Sequence, residues 1–222
     1  MTEELKITRI VIVDDHPLVR ERLIELIDRE PDLKVCGEAE DRSEALDLID
    51  QLRPELAIVD LNLKSSVGIE LIKDLQAKIP ELIILVVSMQ DEMIYAERCI
   101  RAGARGYITK QQASRHVLHA IRQVLSGEVY ISEAVSKQLV SRSIGRQSGS
   151  DFVLSITLLA DRELQVFELI GKGHSTRQIA DLLSLDVKTI ETYRGRIKDK
   201  LALKDSSELL QRAIAWVHHR AG

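Results

Sequence analysis

The 222-residue chain has no apolar run long enough to cross a bilayer, no internal repeat, and no cysteine pair at metal-binding spacing. Its two cysteines, Cys36 and Cys99, fall in a β-like stretch and in a helical pattern, and both read as reduced packing residues. The start, Met1 to Lys6, lacks the basic-then-apolar design of a signal peptide, so the chain reads as cytoplasmic, with no membrane partner. What remains is an ordinary globular composition, 45% hydrophobic and 30% charged. At this length two domains are expected, each able to bury its own core. Charge is unevenly divided between them. Residues 1–125 hold 17 Lys and Arg against 23 Asp and Glu, a net of −6, whereas residues 126–222 hold 14 against 12, a net of +2.

Four polar landmarks end apolar runs in the first half. Asp14-Asp15 follows Ile10 to Val13, Asp60 follows Leu56 to Val59, Ser88 follows Leu82 to Val87, and Lys110 follows Gly106 to Thr109. Short β-branched runs alternating with helical-period segments predict a doubly wound parallel sheet with crossover helices. The functional crevice of such a sheet lies beyond the carboxyl ends of its strands, so all four landmarks converge on one rim. Three carboxylates, a hydroxyl and an ammonium suit one chemistry there: transfer of a phosphoryl group to a carboxylate beside a divalent metal. Mg²⁺ takes hard oxygen ligands, a carboxylate can attack phosphorus to give an acyl phosphate, and metal and Lys stabilise charge on the transferred group.

On these residues, the segment from about Thr8 to Ser126 resembles the receiver domain of bacterial two-component response regulators. Paired acids after strand 1, an Asp after strand 3, Ser or Thr after strand 4 and Lys after strand 5 occur in the family's order, with Tyr107 as the aromatic residue three before the Lys. The resemblance implies a five-stranded flavodoxin-like sheet and Asp60 as phosphoacceptor. It implies Mg²⁺ held by Asp14, Asp15, Asp60 and the backbone carbonyl of Asn62. Ser88 and Lys110 would bind phosphoryl oxygens, and Ser88 and Tyr107 would relay the change. Lys64 stands where relatives often have Pro, as does Gln111 after Lys110.

The helix from Ala113 to Ser126, with Val117, Ala120, Ile121 and Val124 on one face, closes the first domain at residues 1–126. Residues 127–155 read as a linker with a short helix, Ser132 to Ser143. In its last part, Ile144 to Ser155, periodicity fails and Gly145, Ser148, Gly149 and Ser150 cluster, the composition of a flexible tether. Residues 156–222 read as a small all-α domain of four helices: Asp161 to Lys172, a helix capped by Ser175 with Gln178 three residues on, Val187 to Leu201 capped by Asp186, and Ser206 to Val217. Two short helices about three residues apart, the second basic, predict a helix-turn-helix. Residues 187–204 carry a net of +4. Ile190, Tyr193, Ile197 and Leu201 would face the core. Lys188, Glu191, Thr192, Arg194, Gly195 and Lys198 fall largely elsewhere and could enter a major groove.

Leu159 to Leu210 also resembles the LuxR-type helix-turn-helix that ends NarL/FixJ-type response regulators. Arg162-Glu163, Gly173-x-Ser175, Ile179-Ala180, Thr189 to Tyr193, Ile197 to Leu201 and Ser207 to Leu209 carry the match. The resemblance implies binding to double-stranded DNA through Lys188, Thr189, Glu191, Thr192, Arg194, Gly195, Arg196, Lys198 and Lys200. It further implies a sensor histidine kinase as phosphodonor and a homodimer when phosphorylated. Two departures stand out. Ala160 replaces a capping Ser or Thr, leaving Asp161 as the alternative cap, and Glu191 replaces a basic residue. The expected function is a phosphorylation-dependent transcription regulator that catalyses only its own phosphorylation and dephosphorylation. Two other readings compete. One is a DNA-binding regulator whose unphosphorylated receiver acts by protein contacts. The other is an aspartate-based phosphohydrolase, disfavoured because Asp60-Leu61-Asn62 puts an amide where a general acid belongs.

Overall fold

A computed structural model describes residues 6–63, 66–143 and 156–219. The tether expected from Ile144 to Ser155, and Lys64, lie outside the described residues. The chain divides into two compact units, Met1–Arg146 and Gln147–Gly222.

Five strands of the first unit form a parallel sheet: β1 (Thr8–Val13), β2 (Leu33–Ala39), β3 (Leu56–Val59), β6 (Ile83–Ser88) and β7 (Gly106–Thr109), in the order β2-β1-β3-β6-β7. Central strands β1 and β3 are buried on both faces, as crossover helices require, which is why their sequences are unbroken apolar runs. Ile10, Ile12, Leu56, Ile58, Leu85, Val87 and Ile108 pack against α1 (Pro17–Ile27) and α5 (Lys110–Leu125), and the predicted α5 stripe of Val117, Ala120, Ile121 and Val124 is buried there. The alternate strand residues, such as Val11, Val13, Ala57 and Val59, are equally buried, and the remaining crossover helices are α2 (Arg42–Leu52), α3 (Gly68–Lys78) and α4 (Glu92–Ala102). β1 and β3 are neighbours in space, but their crossovers leave in opposite directions along the sheet. A cleft therefore opens between their C-terminal ends.

Three features differ from the sequence expectation. A two-stranded antiparallel piece, β4 (Asn62–Leu63) with β5 (Ser66–Val67), follows Asp60. It returns the chain so closely that a Cβ on Gly68 would lie 2.3 Å from the Asp60 carbonyl oxygen. Helix α5 begins at Lys110, three residues earlier than its apolar stripe indicates. Finally, much of the expected linker is built onto the first unit. Tyr107 N–H donates to the Tyr130 carbonyl at 2.8 Å and Tyr130 N–H to that of Arg105 at 3.0 Å, occupying part of the free edge of β7. Helix α6 (Glu133–Ser143) then packs on α4, where Ser132 Oγ donates to Glu92 at 2.9 Å and Gln138 Nε2 to the Met93 carbonyl at 3.1 Å.

The described residues of the second unit form α7 (Asp161–Gly171), α8 (Thr176–Leu183), α9 (Val187–Lys200) and α10 (Ser206–His219). Ser175 and Gln178 make the expected reciprocal cap: Ser175 N–H donates to Gln178 at 2.8 Å, and Ser175 Oγ accepts from the Gln178 N–H at 3.3 Å. Asp186 caps α9, accepting from the Thr189 N–H at 2.9 Å. At α7 the alternative cap is not used. Ala160 is the N-cap, Asp161 is already helical, and Glu163 reaches back to accept from the Ala160 N–H at 2.8 Å, half of a capping box. Helices α7 and α10 approach closely at Gly171, where a Cβ would stand 2.3 Å from the Ala213 carbonyl oxygen.

Candidate functional site

Strand geometry brings the crevice residues together. Asp14 N–H donates to the Ala39 carbonyl at 3.1 Å and Asp60 N–H to the Val13 carbonyl at 2.8 Å, so both acids are fixed by the sheet ladder as their strands end. Lys110 Nζ lies 2.7 Å from Asp14 Oδ2 and 2.7 Å from Asp60 Oδ2. Asp14 and Asp60 are both 2% exposed. A cation in the first turn of a helix opposes the helix dipole, and these two carboxylates offset that cost. Burial alone would lower the Lys110 pKa, but its hydrogen bonds to and charge attraction by Asp14 and Asp60 outweigh it, holding the ammonium above its ordinary range.

Asp15 and His16 complete the cluster. One ligand atom from each of Asp14, Asp15, His16 and Asp60 lies within 4.8 Å of the others. His16 Nδ1 is 3.1 Å from Asp14 Oδ1 and 2.6 Å from Asp15 Oδ1, although the latter approach lacks hydrogen-bond direction. Asp15 Oδ1 and Asp60 Oδ1 are buried with no hydrogen-bond partner. Buried carboxylate oxygens in that condition are costly unless something positive meets them. Three carboxylates with two such oxygens facing a shared cleft therefore fit a divalent, oxygen-preferring cation.

Ser88, fully buried, ends β6, and its Oγ accepts from the Gln90 N–H at 3.4 Å. Tyr107 is buried and its hydroxyl donates to the Gln90 carbonyl at 2.8 Å. Burial pushes its phenol far above the usual range, reinforced by Cys99, Asp60 and Asp91. Gln90 Nε2 also donates to Asn62 Oδ1 at 3.0 Å, tying the loop after β6 to the start of β4. Gln90 and His16 were invisible to strand-end reasoning, as was Arg20, which donates to the Asp14 carbonyl at 2.6 Å and to Glu38 and Glu40. A basic residue in the first turn of α1, five positions after Asp15, was the available signal.

In the second unit, Ile190 and Ile197 are buried in α9 and Tyr193 is half-buried, as the periodicity predicts. Lys188, Glu191, Thr192 and Arg196 are exposed, while Arg194, Gly195 and Lys198 are partly so. Several of the residues expected at DNA are engaged internally, among them Thr192, whose Oγ1 donates to the Lys188 carbonyl at 3.0 Å, and Arg194, whose Nε lies 3.9 Å from Glu191. Thr189 Oγ1 donates to Asp186 at 2.9 Å within the cap, and Lys200 Nζ donates to buried Glu163 at 2.6 Å.

Known proteins share both halves. The response regulator receiver domain matches residues 10–122, and the luxR family of bacterial regulatory proteins matches residues 157–213. Response regulator GacA of Pseudomonas aeruginosa is 33% identical over 207 residues, covering 93% of this chain and 95% of its own. The oxygen regulatory protein NreC of Staphylococcus haemolyticus is 32% identical over 209 residues, covering 93% and 96%. Among solved structures, RcsB of Salmonella enterica serovar Typhimurium, bound to promoter P1flhDC with the phosphomimetic BeF₃⁻, superimposes with a TM-score of 0.68 at 26% identity, covering 93% of this chain and 98% of that one. With motif order, sheet topology and both domain matches in agreement, this chain belongs to the two-component response regulators that join a receiver domain to a LuxR-type helix-turn-helix.

Proposed function

We propose that the protein is a cytoplasmic, phosphorylation-dependent transcription regulator. In this reading Asp60 accepts a phosphoryl group from a sensor histidine kinase, and the change is relayed to a C-terminal domain that binds double-stranded DNA as a dimer. The observation that carries this reading is Lys110 bridging Asp14 and Asp60 while Asp60 Oδ1 stays buried and unpartnered. The Asp60 carboxylate is the nucleophile. It attacks phosphorus, the bond to the donor's imidazole nitrogen breaks, and the imidazole leaves with its electron pair. Asp14, Asp15, Asp60 and the Asn62 carbonyl would hold Mg²⁺, which when bound neutralises charge on the phosphoryl oxygens. Lys110 exchanges a carboxylate partner for a phosphoryl oxygen, and the Ser88 hydroxyl donates to another.

The product replaces the single negative charge of the Asp60 carboxylate with a phosphoryl charge of about −1.5 to −2. Moving Ser88 toward it alters the loop that Gln90 shares with Tyr107, and Tyr107 also touches the Tyr130 segment through its backbone. Promoter-bound RcsB, similar along nearly the whole chain, supports DNA as the output partner. Mass spectrometry after treatment with a small acyl phosphate and Mg²⁺ tests the reading. One phosphoryl group should appear on Asp60, vanish in Asp60→Asn and weaken in Asp15→Ala. Undiminished labelling of Asp60→Asn would overturn it.

A further inference from the structure

Lys200 is the last residue of α9, and the sequence reading places it among the DNA contacts. Its surroundings assign it a different task. Nζ lies 2.6 Å from Glu163 Oε2, and the Glu163 side chain is 4% exposed. The same oxygen accepts from the Ala160 N–H at 2.8 Å, where Ala160 has no side chain able to cap α7. One buried carboxylate oxygen therefore serves two purposes: it satisfies the N-terminus of α7 and holds the C-terminus of α9. Both charges also suit the helix ends they occupy, the acid in the first turn of α7 and the ammonium in the last turn of α9. Helix α9 packs directly on α7, so this latch is one of the contacts that set the angle at which the exposed face of α9 is presented.

We propose that Lys200 is a positioning residue that seats the recognition helix through Glu163, and that it contributes no phosphate contact. This inference rests on the reading of α9 as the DNA-contacting helix. A lysine that neutralises a phosphate releases counterions, so its loss lowers the salt dependence of DNA affinity by about 0.9 in log–log slope. A lysine that is partly exposed, as Lys200 is at 38%, but already paired with a buried carboxylate releases none. Removing it weakens binding through a misplaced helix and leaves the slope unchanged. The two roles also differ at the partner: Glu163 has no business in DNA affinity unless it acts through Lys200 or the cap.

The test is a salt titration of binding by the full-length protein, using a duplex selected from random sequences by the wild type. Lys200→Met, Lys200→Arg, Glu163→Gln and the double variant Lys200→Met/Glu163→Gln are compared with Arg196→Ala. Lys200→Met should lose about tenfold in affinity, by the cost of leaving a buried charge unpaired discounted for partial exposure. Its slope should equal the wild type's, and amide hydrogen exchange should quicken at the end of α9. Lys200→Arg should recover most of the affinity. The double variant should be no worse than the poorer single, because the two act on one contact. A reduced slope in Lys200→Met, with Glu163→Gln binding normally, would make Lys200 a phosphate anchor and overturn the proposal. So would quickened exchange with unchanged affinity, which would leave the pair structural only. If the wild type and Arg196→Ala both bind no duplex, the reading of α9 itself fails, a result distinct from either.

Discussion

The receiver crevice and the recognition helix both gather charge, but they hold it in opposite ways. In the crevice, Asp14, Asp60 and Lys110 come from three strand ends far apart in sequence, are almost wholly buried, and compensate one another at 2.7 Å. In α9, charges lie a few residues apart on one helix, and Arg196 and Lys188 are exposed to water. Buried charges interact strongly and cannot be left alone. Exposed ones are screened and cost little until a polyanion arrives. The crevice is thus built to make one local event energetically large, whereas the helix is built to wait. In the proposed reading, a phosphoryl group on Asp60 would compete with the carboxylates for Lys110, and that exchange of partners would let the crevice drive a rearrangement elsewhere.

Breaking the crevice should therefore have the larger effect. Lys110→Met leaves Asp14 and Asp60 close together without their cation and should destabilise the first unit by about 3–5 kcal/mol. Chemical denaturation of the full chain, followed on first-unit signals, measures this. Mg²⁺ should restore more stability to the variant than it adds to the wild type, because its charge replaces the missing ammonium and stabilises by mass action. A variant as stable as the wild type without Mg²⁺ would show that the bridge contributes little. On the helix side, Arg196→Ala should leave folding untouched, weaken all duplexes about equally, and lower the salt slope by about 0.9. Sharper still is Glu191→Ala. An exposed acid at the start of a basic helix repels phosphate but can accept from cytosine N4, so its removal should shift base preference by about 1–3 kcal/mol at one position. An unchanged preferred sequence in binding-site selection would mean that Glu191 reads no base.

The same contrast governs what is legible in the sequence. Asp14-Asp15, Asp60, Ser88 and Lys110 were legible because parallel topology maps strand ends onto one rim, whatever the loops do. The caps at Ser175 and Asp186 were legible because their partners are three residues away. Contacts that depend on how elements pack were not. Nothing local indicates that Gly68 must clear the Asp60 carbonyl, that Gln90 bridges Asn62 and Tyr107, or that Glu163 meets a lysine 37 residues on. Thr189 shows the limit within a single turn: residue type and position suit a groove contact, but its hydroxyl is already given to Asp186. The Tyr130 segment, which the sequence reading places in the linker after the first domain, packs because the edge of β7 has backbone groups to satisfy.

The smallest effect expected is at Tyr107, and it distinguishes a buried hydrogen bond from mere ring packing. Tyr107→Phe keeps the ring and removes the donor to the Gln90 carbonyl, which should cost about 1 kcal/mol at neutral pH. Alkaline conditions should narrow that gap. Burial raises the phenol's pKa in the folded protein, so the stability linked to its neutral form is complete below the unfolded value of about 10 and is lost as pH rises beyond it. Unfolding then releases a proton that the folded state retains, and the wild type weakens where phenylalanine does not. Lys110, whose pKa is also raised, loses stabilisation over the same alkaline range, but it does so in both proteins and cancels in the difference. Urea denaturation of the two chains at neutral pH and above pH ~10 should therefore show a difference that shrinks with pH. A constant difference would mean that the Tyr107 hydroxyl ionises as freely in the folded protein as in the unfolded one, which is incompatible with a sealed contact to the loop that carries Gln90.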